Sequence, residues 1–166
     1  MTDRVQPLDV ESVISGRDDR ERSELRLWLR LLSAANLITS AIRRNLRQNF
    51  NVTLPQFDLL AQLEREPKGL RLSELSQRMM VTNGNLTGLV DKLESQGLVV
   101  RERSASDRRA IHVRLTKAGA ALFCVMAKAH ESWLAQMMAN LPDQARGSLM
   151  RDLQTLKSSV RGADLG

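Results

Sequence analysis

The sequence is poor in the residues that build metal centres and disulfide frameworks. Its 166 residues include one cysteine, Cys124, and two histidines. A single cysteine excludes an intramolecular disulfide framework and is typical of a reducing compartment. The same scarcity argues against a structural zinc site. We therefore expect neither a metal nor another cofactor.

Long apolar runs are missing as well. No stretch approaches the roughly 20 residues that a membrane-spanning helix needs, and the polar N-terminal segment lacks the apolar core of a secretory signal. We find no paired carboxylates, no Ser-His-Asp set and no phosphate-binding glycine loop. The sequence thus predicts a cytoplasmic protein that is not an enzyme.

Positive charge is concentrated in one short segment. The net charge is +6, and residues 98–117 hold six basic against two acidic side chains, which is four of those six charges. Arginine outnumbers lysine by 20 to 5, and a guanidinium group suits bidentate contact with phosphate. The segment indicates either a polyanionic partner or a solvated charged loop.

The sequence predicts that the N-terminal half of the chain is an arm followed by helices. Residues 1–20 show no periodicity, and we expect a flexible arm there. Apolar residues then recur at steps of three and four, which predicts a helix over about residues 21–48. Leu54-Pro55 opens a short helix with proline in its first turn, and Pro67-Lys68-Gly69 forms a turn.

Two short helices and two strands follow. Ser73 is placed to cap the first helix and Thr82 to cap the second, which stops at Gly97. Only Met80-Val81 lies between the two helices, and so tight a connection predicts a helix-turn-helix. The spacing of apolar residues then changes from a period of 3.6 residues to a period of 2 over residues 98–103 and 110–115. This change predicts a β-hairpin. A helix-turn-helix followed by a basic hairpin is a winged helix.

Two further helices complete the chain, from Thr116 to about Met137 and from Pro142 to about Val160. Each carries an apolar stripe that so short a chain cannot cover alone, and a second copy would cover it. We expect Cys124 to pack in the core. The predicted fold is mainly α with a small β-hairpin wing. Residues 54–117 form its winged helix-turn-helix, and residues 21–48 and 118–161 form a helical dimerisation layer.

The order and spacing of several fragments resemble the MarR family of bacterial winged-helix transcription regulators. These fragments are Leu72–Leu75, Val81–Glu94, Gly97–Val99, Asp107–Arg109 and Leu115–Gly119. The resemblance runs from about Leu25 to Val160 and implies one MarR-type domain over residues 21–166. It also implies a nucleoid-associated homodimer that binds duplex DNA. Many members release DNA when a small, often aromatic, ligand enters between their two layers.

The second helix of the helix-turn-helix is the candidate reader, because a major groove admits one helix. Gly84 and Gly88 lie one turn apart and would let the backbone approach DNA closely, although tolerated surface glycines are the alternative. Asn83 and Asn85 are able to pair with adenine, and Thr87 to contact a thymine methyl group.

The wing is expected to contact phosphates and the minor groove. By resemblance, Arg108 enters the minor groove and Asp107 orients it. The candidate DNA-binding residues are Ser73, Thr82, Asn83, Gly84, Asn85, Thr87, Gly88, Lys92, Arg101, Arg103, Ser106, Asp107, Arg108 and Arg109.

The leading hypothesis is a repressor released from an inverted-repeat operator by an aromatic acid or its coenzyme A thioester. It rests on the likeness of residues 82–88 to regulators of aromatic acid and hydroxycinnamate catabolism. The alternatives are a regulator of efflux that responds to phenolic compounds or drugs, and a constitutive DNA-binding protein with no effector. The candidate ligand-binding residues are Trp28, Ile38, Arg43, Arg44, Arg47, Phe57, Met126 and Trp133.

Overall fold

The computed structural model describes residues 23–103 and 111–163. The predicted arm at residues 1–20 lies outside them, as do Ser106, Asp107, Arg108 and Arg109, which the sequence predicts in the hairpin. The described elements are α1 (Ser23–Phe50), α2 (Leu54–Glu64), β1 (Leu70–Arg71), α3 (Leu72–Met79), α4 (Asn83–Ser95), β2 (Val99–Arg103), β3 (Ile111–Leu115), α5 (Lys117–Met137) and α6 (Asp143–Gly162). The prediction of a mainly helical chain with a small β wing is confirmed.

The chain divides into two compact units, Met1–Ala129 and His130–Gly166. The boundary falls within α5, so the first unit holds α1 to α4, the sheet and the start of α5. Within the described ranges, no helix has the combination of length and apolar character that crossing a membrane takes.

The connection from α1 to α2 is a short, well-capped turn. Asn51 adopts a left-handed conformation with φ of 53°, which ends α1 because a helix cannot continue through it. Thr53 and Gln56 then form a capping box: the Thr53 backbone N–H donates to Gln56 Oε1 at 2.8 Å, and Gln56 N–H donates to Thr53 Oγ1 at 3.4 Å. As expected, α2 begins at Leu54-Pro55.

Within the described residues the sheet has three antiparallel strands in the order β1-β3-β2, one strand more than the sequence predicts. In β1, Leu70 pairs with Val113, and in β2, Val99 pairs with Leu115. A two-residue strand is too short to show an alternating pattern, so β1 escapes sequence reasoning. Gly69 precedes it with φ of 80°, and a Cβ there would lie 2.7 Å from the Val113 carbonyl oxygen.

The expected capping role of Ser73 is wrong. The N-cap of α3 is Arg71, whose backbone N–H donates to Glu74 Oε2 at 2.8 Å, and Ser73 is the exposed second residue of the helix. The physical reason is that β1 leads straight into α3, so the last strand residue takes the cap position. Thr82 does cap α4, since its Oγ1 accepts from the Asn85 N–H at 3.4 Å.

The core of the first unit is built mostly from leucine. Each of its members has a negligible exposed fraction; they include Leu46, Leu59, Leu60, Leu63, Leu75, Leu86, Val90, Leu93, Val113 and Met126. The expectation that Cys124 packs there is wrong, because the structure exposes it. Two residues along a helix turn the side chain by about 200°, which places Cys124 opposite the buried Met126.

The start of α5 is held against the short segment between α4 and β2 by a close backbone contact. Thr116 Oγ1 donates to the Gly97 carbonyl at 2.7 Å and accepts from the Gly119 N–H at 3.0 Å, and the Thr116 N–H donates to the Leu98 carbonyl at 3.1 Å. A Cβ on Gly119 would lie 1.9 Å from the Leu98 carbonyl oxygen. Glycine is therefore a packing requirement at position 119.

We expect Gly119→Ala to lower the free energy of unfolding by about 1–3 kcal/mol, because the added methyl group overpacks a backbone contact. The matched control is Gly147→Ala in α6, where a Cβ would make only an ordinary 3.6 Å contact with Arg151. That change should raise the free energy of unfolding by up to about 1 kcal/mol through helix propensity. Urea titration followed by circular dichroism measures both, and equal effects would contradict the packing argument.

Candidate nucleic-acid interface

The turn between α3 and α4 is compact and fixed by local hydrogen bonds. Met80 adopts a left-handed conformation with φ of 53° and is 93% exposed. Its neighbour Val81 donates its N–H to the Ser76 carbonyl at 3.2 Å, and Ser76 Oγ donates to the Val81 carbonyl at 3.0 Å. These bonds set the direction in which α4 leaves the turn.

The buried face of α4 determines the face that is free to meet DNA. Leu86, Val90 and Leu93 are fully buried, and Leu89 is half-buried. The candidate reading residues on the other side are all exposed, as predicted; they are Asn83, Gly84, Asn85, Thr87, Gly88 and Lys92. One helix thus presents a continuous polar surface of the width that a major groove admits.

Two features of this surface suit close contact with DNA. A Cβ on Gly84 or Gly88 would meet nothing within 4 Å, so packing within the protein does not require glycine at either position. Thr87 Oγ1 donates to the Asn83 carbonyl at 2.9 Å, which uses its proton within the helix and leaves its methyl group for apolar contact. Contacts among the described residues therefore do not explain the two glycines.

Arg101 joins the wing to α4, the candidate reading helix, a role that sequence reasoning missed. Its Nη2 lies 2.6 Å from Asp91 Oδ1 and its Nη1 binds Glu94, while its backbone N–H donates to Glu94 Oε1 at 3.1 Å. Its side chain is only 22% exposed. The sequence signal that could have revealed this contact is the pair of acidic residues Asp91 and Glu94. They lie three positions apart in α4, a few residues before Arg101 in β2.

A second ion pair lies within the wing. Arg114 Nε donates to Glu102 Oε2 at 2.6 Å, and Arg114 Nη2 binds Glu102 Oε1, across the β2–β3 ladder. The hydrogen bond from Arg114 lowers the pKa of the Glu102 carboxyl group, and the same bond raises the pKa of Arg114. The pair therefore persists at neutral pH and weakens only as acid protonates the carboxylate.

Ion pairing changes which arginines are available to DNA. Burial lowers the pKa of Arg101, but its hydrogen bonds to Asp91 and Glu94 raise it more, so the net shift is upward and the group stays charged. Arg101 and Arg114 are thus held by carboxylates of the protein itself. Arg103 ends β2, opposite Ile111, and the other candidate arginines, Arg108 and Arg109, lie outside the described residues.

The candidate ligand-binding residues fall in different environments. Phe57 and Met126 are buried, with the Phe57 ring centroid 5.5 Å from that of Phe123, whereas Trp28 is 57% exposed. Ile38 is half-buried in α1 and Trp133 is half-buried in the second unit. Arg43, Arg44 and Arg47 are all exposed on α1. Over residues 23–103 and 111–163, no group of three or more His, Cys, Asp and Glu side chains is arranged to hold a metal ion.

We expect Gly84→Ala and Gly88→Ala each to raise the free energy of unfolding by up to about 1 kcal/mol, because alanine is the better helix former and the space is open. Both changes should nevertheless weaken DNA binding, since each methyl group stands between the helix backbone and the duplex. Thermal unfolding and fluorescence anisotropy measure the two effects. Unchanged DNA affinity would identify these residues as tolerated surface glycines.

We expect Arg101→Lys to lower the free energy of unfolding by about 1 kcal/mol and to weaken DNA binding, because a lysine cannot hold two carboxylates in one plane. The control is Arg114→Lys, which alters a more exposed pair and should change stability less than Arg101→Lys does, because solvent screens exposed ion pairs. Chemical denaturation and anisotropy are the measurements. Equal losses of stability and of DNA affinity in the two variants would show that the contacts of Arg101 matter no more than those of Arg114.

Comparison with known proteins adds independent information. The family model described as MarR matches residues 52–111. A transcriptional regulator of the helix-turn-helix type, TtmR from Methylorubrum extorquens, is 34% identical over 68% of this chain, and the match spans 57% of its own length.

Two solved structures have the same fold. A MarR family transcriptional regulator from Silicibacter pomeroyi is 34% identical, with a TM-score of 0.72, and the match covers 87% of this chain and 99% of that one. FabT from Streptococcus pneumoniae, solved in complex with DNA, also has a TM-score of 0.72 at 23% identity, over 83% and 97% of the two chains. The TtmR and Silicibacter pomeroyi proteins are transcription regulators rather than enzymes.

Proposed function

Because this chain belongs to the MarR family of DNA-binding transcription regulators, we propose that it is a homodimeric repressor, released from an inverted-repeat operator by a small aromatic ligand. The observation that carries the proposal is the exposed polar face of α4. This face includes two glycines that packing within the protein does not require. Asn83 and Asn85 would read adenine edges and Thr87 a thymine methyl group. Ser73, Thr82 and Lys92 would contact phosphates.

The wing would supply the remaining contacts. We propose that Arg108 enters the minor groove beside Asp107, with Ser106, Arg103 and Arg109 near phosphates. Arg101, bound to two carboxylates of α4, would act mainly by holding the wing against the reading helix. This division modifies the sequence-based proposal, in which Arg101 is one DNA contact among others.

The dimer proposal rests on apolar side chains that the chain leaves uncovered. In the first unit these lie on α1 between Leu25 and Leu37 and include Leu25, Leu27, Trp28, Leu32 and Leu37. In the second unit α6 has no buried residue, and its stripe of Leu149, Leu153, Leu156 and Val160 is exposed. A second copy packing on these surfaces would remove them from water.

We expect Leu153→Glu combined with Leu156→Glu to give monomers and to abolish specific DNA binding, because charges would replace the centre of the apolar stripe. Gln154→Glu adds a charge to the same helix off this stripe and should leave a dimer. Analytical ultracentrifugation and anisotropy on a duplex whose half-sites lie about 34–36 Å apart provide the measurements. A monomeric wild type at micromolar concentration, or full affinity for a single half-site, would overturn the proposal.

The effector is proposed to be an aromatic acid or its coenzyme A thioester. Within the first unit, Trp28, Ile38, Phe57 and Met126 are the proposed apolar contacts, and the exposed arginines Arg43, Arg44 and Arg47 would meet the phosphates of coenzyme A. Ligand binding would change the separation of the two reading helices, so that both no longer fit successive major grooves.

We expect the double change Arg43→Gln and Arg44→Gln to weaken binding of an aromatic acyl thioester of coenzyme A by about tenfold or more, since two charge-assisted contacts are lost. Binding of the matching free acid, which has no phosphates, should change little and serves as the control. Calorimetry on both ligands decides the matter. Unchanged thioester affinity would exclude the arginine contacts, and DNA affinity unaffected by either ligand would favour a constitutive regulator.

A further inference from the structure

A cavity of about 350 Å³ lies within the first unit, beside the reading helix. It is formed by the last turn of α1, the connection to α2, the first turn of α2 and the C-terminal half of α4. Its volume is within the range of small-molecule sites in proteins. The lining residues are Arg47, Asn51, Thr53, Gln56, Leu89, Lys92 and Gln96.

The charges around this cavity are all of one sign. Among the described residues, Arg47 and Lys92 are the charged side chains that line it, and none of the lining residues is acidic. Asp91 and Glu94, the acidic residues of α4, are bound to Arg101 instead. In the described part of the chain neither Arg47 nor Lys92 forms an ion pair. The cavity thus holds two cations that the protein does not compensate, which favours an anion.

Gln56 supplies an independent observation. It is only 6% exposed, and its Oε1 accepts from both the Thr53 N–H at 2.8 Å and Thr53 Oγ1 at 3.1 Å. Because a backbone N–H must face the amide oxygen, Nε2 points away from Thr53, and it has no partner among residues 23–103 and 111–163. No buried side-chain polar atom in those residues is left unpartnered, so Nε2 retains solvent contact. The cavity that Gln56 lines is where that contact is available.

We propose that this cavity binds a compact oxyanion, the carboxylate of a small organic acid or a phosphate. The Arg47 guanidinium, the Lys92 ammonium and the Gln56 amide nitrogen would donate to the anion, and charge-assisted bonds of this kind are the strong ones. Leu89 would cover any apolar part of the ligand. Arg43 and Arg44 do not line the cavity, so the site shares Arg47 alone with the proposed coenzyme A contacts.

The site has a consequence for DNA binding, which rests on the proposed function. Lys92 belongs to α4 and is one of the proposed phosphate contacts. An anion in the cavity would engage its ammonium group and compete with DNA for it. Occupancy should therefore lower DNA affinity, and DNA should lower the affinity for the anion by the same factor.

The test follows the Gln56 side-chain amide signal in nitrogen-15 NMR spectra of the full chain, at constant ionic strength. Sodium butyrate and inorganic phosphate are the probes, and butyramide, which is neutral and similar in shape to butyrate, is the control. We expect at least one anion to shift the signal saturably and butyramide not to. Saturation by butyrate identifies the carboxylate of a small acid, and saturation by phosphate alone identifies a phosphate ligand. Failure of both anions, or equal shifts with butyramide, would overturn the proposal.

Variants locate the site. Gln56→Glu keeps the capping oxygen for Thr53, because glutamate is also a capping-box residue, but it replaces the amide donor with a carboxylate. Lys92→Gln removes one cation. We expect each to weaken anion binding by about tenfold or more, measured by calorimetry after thermal unfolding has verified the fold. Lys68→Gln, which removes an exposed cation outside the cavity, is the matched control for Lys92→Gln. Unchanged binding in Gln56→Glu and Lys92→Gln would place the anion elsewhere and refute the site.

A separate experiment tests the link to DNA. Anisotropy on an operator duplex compares the saturating anion with sodium chloride at equal ionic strength. We expect weaker DNA binding in wild type and no effect in Gln56→Glu. If the NMR experiment succeeds and DNA affinity does not respond, the site stands and its regulatory role is refuted. If no duplex binds at all, the proposed function fails while the anion site does not.

Discussion

The burial of one side of α4 is the constraint on which the rest of the interface depends. Leu86, Val90 and Leu93 are fully excluded from water, so α4 cannot rotate without exposing them, at a cost of roughly 1.5–3 kcal/mol for each side chain. Its opposite face is therefore held towards solvent. No additional interaction is needed to keep the polar residues and the two glycines of that face exposed.

The wing depends on α4 through Arg101. A charged side chain in the middle of a basic segment invites the interpretation of a phosphate contact, yet here it binds Asp91 and Glu94. Positive charge counted along the sequence therefore overstates the charge offered to DNA, because two of the six basic residues of segment 98–117 are held by carboxylates of the chain itself. Arg101 instead fixes the position of strand β2 relative to α4.

The other end of the winged helix is fixed by backbone contact rather than by charge. Thr116 and Gly119 bring the first turn of α5 against the Gly97-Leu98 backbone, and Gly69 allows the chain to approach Val113 where β1 begins. These glycines and those of α4 look alike in the sequence. The structure separates them, since a Cβ at 69 or 119 would collide with backbone, whereas one at 84 or 88 would meet nothing.

The sequence by itself determined the elements whose signals are local. Helix periodicity, the Thr82 cap, the stop at Gly97 and the alternation in β3 depend on neighbours within a few residues, and the helix-turn-helix and hairpin were predicted from them. Only the tertiary structure decided the third strand, the N-cap at Arg71, the exposure of Cys124, the ion pairs of Arg101 and the cavity beside Gln56. Each of these depends on residues brought together from distant parts of the chain, or on which side of a helix the core occupies. No local pattern encodes such contacts, because their energies arise only when separate elements pack.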